Sequence, residues 1–367
     1  MKTFERRVGR ESLDGRVISA ARAYGFTSQP LTLTRPRGDA DSAADHGTAL
    51  VTTLIDRVGP LTGTTQMWGT AKKSGTTSIV FVIGSRKIAV AQTFVVKAAL
   101  AVAESSGLSD LSVHISSVGD AESRRRYLRE VGNFFKRYAK DIPEPVLSLS
   151  VKYPDRAISE LLASNSPLEE HIPRTIDYLS EPSRKIILET ISLFERLGIR
   201  YELNARLPFT PDVNHELVFA IYGTDKKGQA IAIASGGRFV APQKKKDSPD
   251  VMGMHVAVPQ TVDCRRDQKN SALPACFVVH VGEAAKLKAF TLLDSLWRSE
   301  VHLDQALLEE SIQAQMQRAQ QSQAKYLAII GQREALDNTV IVKNVLSELQ
   351  EIVPLDKVAS RMSRVRV

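Results

Sequence analysis

Apolar positions along this chain change period several times, and the changes mark out its elements. Residues 79–83 (IVFVI) form an unbroken apolar run closed by Gly84, the pattern of a buried strand, and Lys87 to Glu104 follow as an Ala-rich helix. From Asp120 to about Lys140, Tyr127, Leu128, Val131, Phe134, Phe135 and Tyr138 recur at helical steps and predict an amphipathic helix. Pro143, Pro145 and Pro154 punctuate the next stretch. A further helix is predicted over Ser183 to Leu197, with Ile186, Ile187, Thr190, Ile191, Phe194 and Leu197 on its core face and Gly198 as its stop. Residues 216–222 and 229–234 are β-rich and joined by a turn-like Gly-Thr-Asp-Lys-Lys-Gly, a hairpin by composition and spacing, and 251–258 predicts another strand.

Between Val258 and Pro274 the chain turns polar and charged, the composition of a connection between domains. Beyond it, strand and helix patterns alternate: strands at 276–282, 326–331 and 339–343, a helix from Glu283 to Ser299, and a Gln-rich helix from about Asp304 to Gln323. In that last helix Leu307, Leu308, Ile312, Met316 and Ala319 keep a helical period. This alternation predicts a small α/β domain with a mixed or parallel sheet covered by helices.

Composition adds charge to this picture. The 367 residues hold 49 Lys and Arg against 41 Asp and Glu, a net +8 that suits either a polyanionic partner such as RNA or a plainly solvated basic surface. On the helix after Asp120, the face opposite the apolar one carries Arg124, Arg125, Arg126, Arg129, Lys136, Arg137 and Lys140, which either meet phosphates or face water. The cysteines, Cys264 and Cys276, have neither metal-site nor disulfide-framework spacing, which fits a reducing cytoplasm. Residues 1–20 are charged throughout, unlike a secretory signal. The most apolar helical stretch, Ile88 to Ala103, is interrupted by Gln92 and Lys97, so no membrane span is expected.

Several chemistries lack their residues. Gly69 to Thr76 holds the parts of a phosphate-binding loop in the wrong order. His114, His255 and His280 sit singly in apolar runs, where packed histidines are expected rather than metal ligands. No GxSxG elbow or partnered cysteine nucleophile is present, and neither metal nor cofactor is expected.

Four segments in order resemble histidyl-tRNA synthetases. Residues 83–127 look like the family's strand and helix after its second class-defining motif, followed by its "INSxGD" turn, here Ile115-Ser116-Ser117-Val118-Gly119-Asp120. Residues 145–201 are similar to its helical insertion ending in "LGIxY", here Leu197-Gly198-Ile199-Arg200-Tyr201. Gly236-Gly237-Arg238-Phe239 resembles "GGRY", and 277–358 resembles the anticodon-binding domain. The resemblance implies an α+β class II synthetase-like domain over 1–262, an antiparallel sheet with flanking helices and a helical insertion at about 145–200. An anticodon-binding-like α/β domain would follow over 275–367. It further implies a homodimer, since 24–33 looks like the start of a degenerate dimer-forming motif.

The departures fall on cations that synthetase chemistry aims at phosphates and at developing charge. Arg206 to Ile221 aligns without gaps to "RLVRGLDYYTGTVFEI", which sets Phe209 at the catalytic arginine and Val213-Asn214 at the paired tyrosines. Gln260 stands at the arginine of "GIER", and no "FRxE" motif is found between His46 and Ile83. Thr62 to Thr77 also lacks the long loop that would hold the acceptor end of tRNA. Phe239 and Val240 replace the Tyr and Asp of "GGRYD".

The resemblance therefore implies a chain that has lost adenylation and binds tRNA or another RNA. Arg124, Arg125, Arg129, Lys136, Arg137 and Lys343 are the RNA-binding candidates, and Gly236, Gly237, Arg238 and Asp212 the remains of a ligand pocket. The glycines could equally serve a tight backbone path, and Arg238 could be a paired arginine. A second reading is a regulatory subunit like that of ATP phosphoribosyltransferase in histidine biosynthesis, with a protein partner; that family generally lacks the C-terminal domain. A third, an active histidine–tRNA ligase, needs other cations to replace three arginines, each such contact commonly being worth ~100-fold or more.

Overall fold

A computed structural model of the chain describes residues 13–32, 43–58, 65–73, 76–164, 166–207, 209, 213–224, 228, 230–239, 250–258 and 273–364. Helices α1 (Leu13–Ala23) and α2 (Ala43–Val58) flank strand β1 (Thr27–Thr32). Strands β2 (Thr65–Lys73) and β3 (Thr76–Ser85), α3 (Ile88–Ser105), β4 (Ser109–Gly119) and α4 (Ala121–Arg137) follow. The insertion contains α5 (Glu144–Lys152), α6 (Pro154–Ala163), 3-10 turns at Glu169–His171 and Thr175–Tyr178, and α7 (Glu181–Arg196). It returns through β5 (Tyr201–Leu203) to β6 (Asn214–Thr224), β7 (Ala230–Phe239) and β8 (Asp250–Val258).

These strands make one eight-stranded sheet in the order β1-β2-β3-β8-β7-β6-β4-β5. It is antiparallel except for the outer pairs β1/β2 and β4/β5, which are parallel. Strand β3 is apolar without alternation because both faces of it are covered. Helix α3 is apolar on nearly every side for the same reason: the sheet, α1 and α7 enclose it, and Phe94, Val95, Val96 and Val102 are fully buried. Its length and composition would suit a membrane span, and in this fold it is the central core helix. Strands β2 and β3 pair antiparallel from Thr65 opposite Gly84 to Lys73 opposite Thr76.

The C-terminal unit contains β9 (Cys276–His280), α8 (Glu283–Arg298), β10 (Leu303–Gln305), α9 (Ile312–Ser322), β11 (Tyr326–Ile330), α10 (Gln332–Asp337), β12 (Thr339–Asn344), β13 (Gln350–Pro354) and α11 (Leu355–Ser363). Its sheet runs β10-β9-β11-β12-β13, with β10, β9 and β11 parallel and the last two strands antiparallel. One expectation fails here: no helix begins at Asp304. Residues 303–305 pair with Cys276–Val278 as a strand, the Gln305 side chain accepts from the Leu307 N–H at 2.6 Å, and Ser311 caps a helix that starts at Ile312. Leu307 and Leu308 are buried from a loop, so their spacing imitated a helical stripe that tertiary packing assigned elsewhere.

The stretch expected to link two domains lies mostly outside the described residues. The described parts share one apolar core, in which the Phe94 and Phe290 rings lie 4.6 Å apart.

Candidate functional site

The glycine-bearing strand β7 runs between β6 and β8, with Gly237 opposite both Val218 and Gly253. Consecutive residues Gly237 and Arg238 pair with Val218 and His215, so Glu216 and Leu217 are extra residues in β6, and β4 answers with an irregularity between Ser117 and Gly119. This is a β-bulge, and Glu216 takes φ 55° within it, a left-handed conformation uncommon for a residue with a side chain. A Cβ on Gly237 would lie 2.3 Å from the Leu217 carbonyl oxygen, and one on Gly236 would lie 2.2 Å from that of Gly253. The two glycines are thus required by neighbouring backbone.

The bulge turns Glu216 inward, where it is 5% exposed. Arg238 reaches it at 3.5 Å and Asp250 at 2.5 Å. Burial raises the Glu216 pKa, with the Ser183 hydroxyl and Arg238 pulling the other way, and its Oε2 has no hydrogen-bond partner. Arg238 is therefore held between two carboxylates. Ser183 also accepts the Asp120 N–H at 3.1 Å, while Asp120 accepts from the Ser123 N–H and the Ser180 hydroxyl at 2.8 Å each. This polar chain ties the starts of α4 and α7 to the bulge. It also explains the Ile115–Asp120 turn: Gly119 has φ 68° and Asp120 is the N-cap of α4.

Both faces of the glycine strand's surroundings are occupied. On one, α2 lays Leu50, Val51, Leu54 and Ile55 against Val80, Val82, Phe239 and Val251. Contact is close enough that a Cβ on Gly253 would lie 2.3 Å from Val51 Cγ1, and one on Gly47 2.7 Å from Ser235 Oγ. On the other, Phe81, Met252, Met254 and Phe219 belong to the core around α3. Beside the sheet, the insertion with residues 205–207 and Phe209 encloses a cleft of about 590 Å³ lined by Tyr127, Asp155, Ile172, Arg174, Arg206 and Phe209 among others. Its cations are already matched: Arg174 to Asp177 at 3.0 Å and Arg206 to Glu169.

The family described as anticodon binding domain matches residues 275–364. The histidine–tRNA ligase of Geobacillus sp. (strain WCH70) is 27% identical over 271 residues, covering 72% of this chain and 64% of that protein. Over most of its length the chain is similar to histidyl-tRNA synthetases of class II. It spans less than two thirds of that relative's length. Among solved structures, apo histidyl-tRNA synthetase of S. aureus aligns over 99% of this chain and 100% of its own at 18% identity and TM-score 0.49. A structure titled as an ATP phosphoribosyltransferase regulatory subunit/histidyl-tRNA synthetase from Bacillus halodurans C aligns over 90% and 99% at 14% identity and TM-score 0.40.

In this synthetase-like chain, Phe209 packs beside Leu207 and Val218, and Val213 against the cluster beneath α2, so two departures from the family pattern are apolar packing residues. Asp212, Gln260 and Cys264 lie outside the described residues. The RNA-binding candidates separate in space. Arg125, Arg129, Lys136 and Arg137 are exposed on α4, whereas Arg124 is half-buried and bonded to Asp155 at 2.8 Å. Lys343, on the C-terminal sheet, lies 3.7 Å from Glu348. These three histidines are packed: His255 Nε2 is 3.0 Å from Ser78 Oγ, the His114 ring lies tilted against Tyr222 at 4.4 Å, and His280 is fully buried. Sequence reading missed Glu216, Asp250 and α2. A charge inside an otherwise apolar strand was the one signal available for Glu216.

Proposed function

We propose that this synthetase-like chain does not form an aminoacyl-adenylate and instead binds RNA, with tRNA the first candidate. One observation carries the non-catalytic half: α2 packs Leu50, Val51, Leu54 and Ile55 over one face of the sheet, against Phe239, Val251 and the backbone of Gly253. ATP and an amino acid would need a polar cleft there with cations free for phosphate, and Arg238 is taken by Glu216 and Asp250. Phe209, where the resemblance sets a catalytic arginine, cannot neutralise a phosphate. The RNA half is supported by the anticodon-binding domain match and the net charge of +8.

The test pairs two measurements on the full chain. Histidine-dependent ATP–pyrophosphate exchange should be absent, and total tRNA should bind with an affinity that falls steeply with salt, about 0.9 log units per log unit of salt for each duplex phosphate neutralised. Exchange activity would overturn the first half. Absence of tRNA binding at low salt would overturn the second, and histidine binding without tRNA binding would favour a regulatory subunit. The dimer implied by the resemblance belongs to the same proposal, and sedimentation equilibrium tests it.

A further inference from the structure

Helix α4 is capped by Asp120 and ends on Lys136 and Arg137, where cations suit the helix dipole, but it also carries cations near its start. Arg124, Arg125 and Arg126 stand in its first two turns, at the end where the helix dipole is positive and anions are favoured. Arg125 and Arg129 are like charges four residues apart, a spacing that costs a few tenths of a kcal/mol in a helix, and Lys140 stands just past the helix end. Two of the cations are offset: Arg124 by Asp155 and Arg126 by Glu122. Arg125, Arg129, Lys136, Arg137 and Lys140 are exposed and have no described carboxylate partner. Arg125, Arg129 and Lys136 follow steps of four and seven, so they form one stripe, with about 17 Å between Arg125 and Lys136 at 1.5 Å per residue, and Lys140 follows in the turn beyond the helix. Glu122, three residues before Arg125, and Glu130 lie on the flanking row with Arg126 and Arg137, and Glu122 is engaged by Arg126.

The opposite face holds the helix rigidly. Tyr127, Val131, Phe134 and Phe135 are buried in the insertion's own apolar cluster, and the Asp120 cap fastens its start to Ser180 and Ser183. A stripe of cations on a fixed rod loses little freedom when a ligand arrives. Local conflict of this kind, kept on a well-anchored element, is expected at functional surfaces.

We infer that this stripe docks the RNA phosphodiester backbone, with Arg125, Arg129, Lys136 and Lys140 as the phosphate-neutralising groups. The inference rests on the RNA-binding reading above and adds a surface separate from the anticodon-binding domain. Charge complementarity selects the occupant: a polyanion with regularly spaced charges supplies the anions these exposed cations lack and relieves the Arg125–Arg129 repulsion.

The experiment uses the full chain, labelled total tRNA and fluorescence anisotropy between 50 and 200 mM KCl, with wild type and the R125Q/R129Q/K136Q variant. Thermal melts and circular dichroism check that the variant is folded; R125K/R129K, which keeps the charges, should bind as wild type does. The variant is expected to lose roughly a hundredfold in affinity at 0.1 M salt, and its log–log salt slope should fall by about 2 to 3, from 0.7–0.9 per phosphate lost. If wild type binds tRNA and the folded variant keeps the full slope, the stripe is overturned while the RNA reading stands. If wild type does not bind tRNA, both fall. Tighter, stripe-dependent binding of polyglutamate than of tRNA would overturn the inference in favour of an acidic protein surface.

Discussion

The hydroxyl of Tyr24 donates a hydrogen bond to the carboxylate of Asp294, 270 positions away in sequence, and Lys97 approaches the same carboxylate from α3. Tyr24 is 2% exposed, and burial together with Asp294 holds its hydroxyl protonated well above the ordinary tyrosine range. Three groups from α3, α8 and the turn after α1 thus close a polar seam across the junction between the synthetase-like body and the anticodon-binding-like unit, which the Arg298–Glu104 ion pair also joins.

Asp294→Ala should cost about 2–3 kcal/mol, because it leaves the Tyr24 hydroxyl and the nearly buried Lys97 ammonium without their shared partner. Adding Lys97→Met should recover part of that loss. Urea denaturation midpoints of the two variants check this, and equal midpoints would remove the seam from the account.

Gly253→Ala should destabilise by about 1–3 kcal/mol, since its Cβ would stand 2.3 Å from Val51 Cγ1. Val51→Ala is costly alone because Val51 is fully buried, yet it makes room for the new methyl. The double variant should therefore lose less than the sum of the singles, a coupling of about 1 kcal/mol in a thermodynamic cycle. Strict additivity would mean that α2 does not rest on this strand.

His280 gives a pH dependence. Burial, then the neighbouring Lys286, lowers its pKa from the ordinary 6.5, against a pull upward from the Leu307 carbonyl that its Nε2–H meets at 3.2 Å. The folded chain resists a proton that the unfolded chain accepts, so this contribution is present above pH 6.5 and is lost as pH falls below it. The stability difference between pH 7.5 and pH 5 should shrink in His280→Gln, read from denaturation curves at both values.

Asp120→Ala should cost about 1–2 kcal/mol at neutral pH through loss of the α4 cap. Burial pushes the Asp120 pKa up, but hydrogen bonds from Ser123 and Ser180 outweigh it and hold the pKa below the ordinary 3.8. The stabilisation is therefore present above pH 3.8 and is lost as pH falls, so the variant and wild type should converge in acid. Asp120→Asn, which can still accept at the cap, should stay within about 0.5 kcal/mol of wild type at neutral pH.

Much of this was legible in order along the chain. The run at 79–83, the helices after Lys87 and Asp120, the Gly198 stop and the paired strands around residue 225 all appear close to where their periods indicate, because each is set by local propensity and by which face meets the core. The candidate pocket was legible only as a motif. Gly236-Gly237-Arg238 announces a tight strand, but neither the bulge that requires the glycines nor the carboxylates that hold Arg238 can be read from their own segment.

The sequence by itself determined the family resemblance, the two kinds of sheet, the amphipathic faces and the positions where synthetase arginines are replaced, since these depend on residue type and spacing. Tertiary structure decided which cations are spent internally and which remain outward, where α2 lies, and that Leu307 and Leu308 are buried from a loop rather than a helix. Those outcomes depend on pairings such as Arg124 with Asp155, Arg238 with Asp250 and Leu303–Gln305 with β9, whose partners are too distant along the chain to leave a periodic trace.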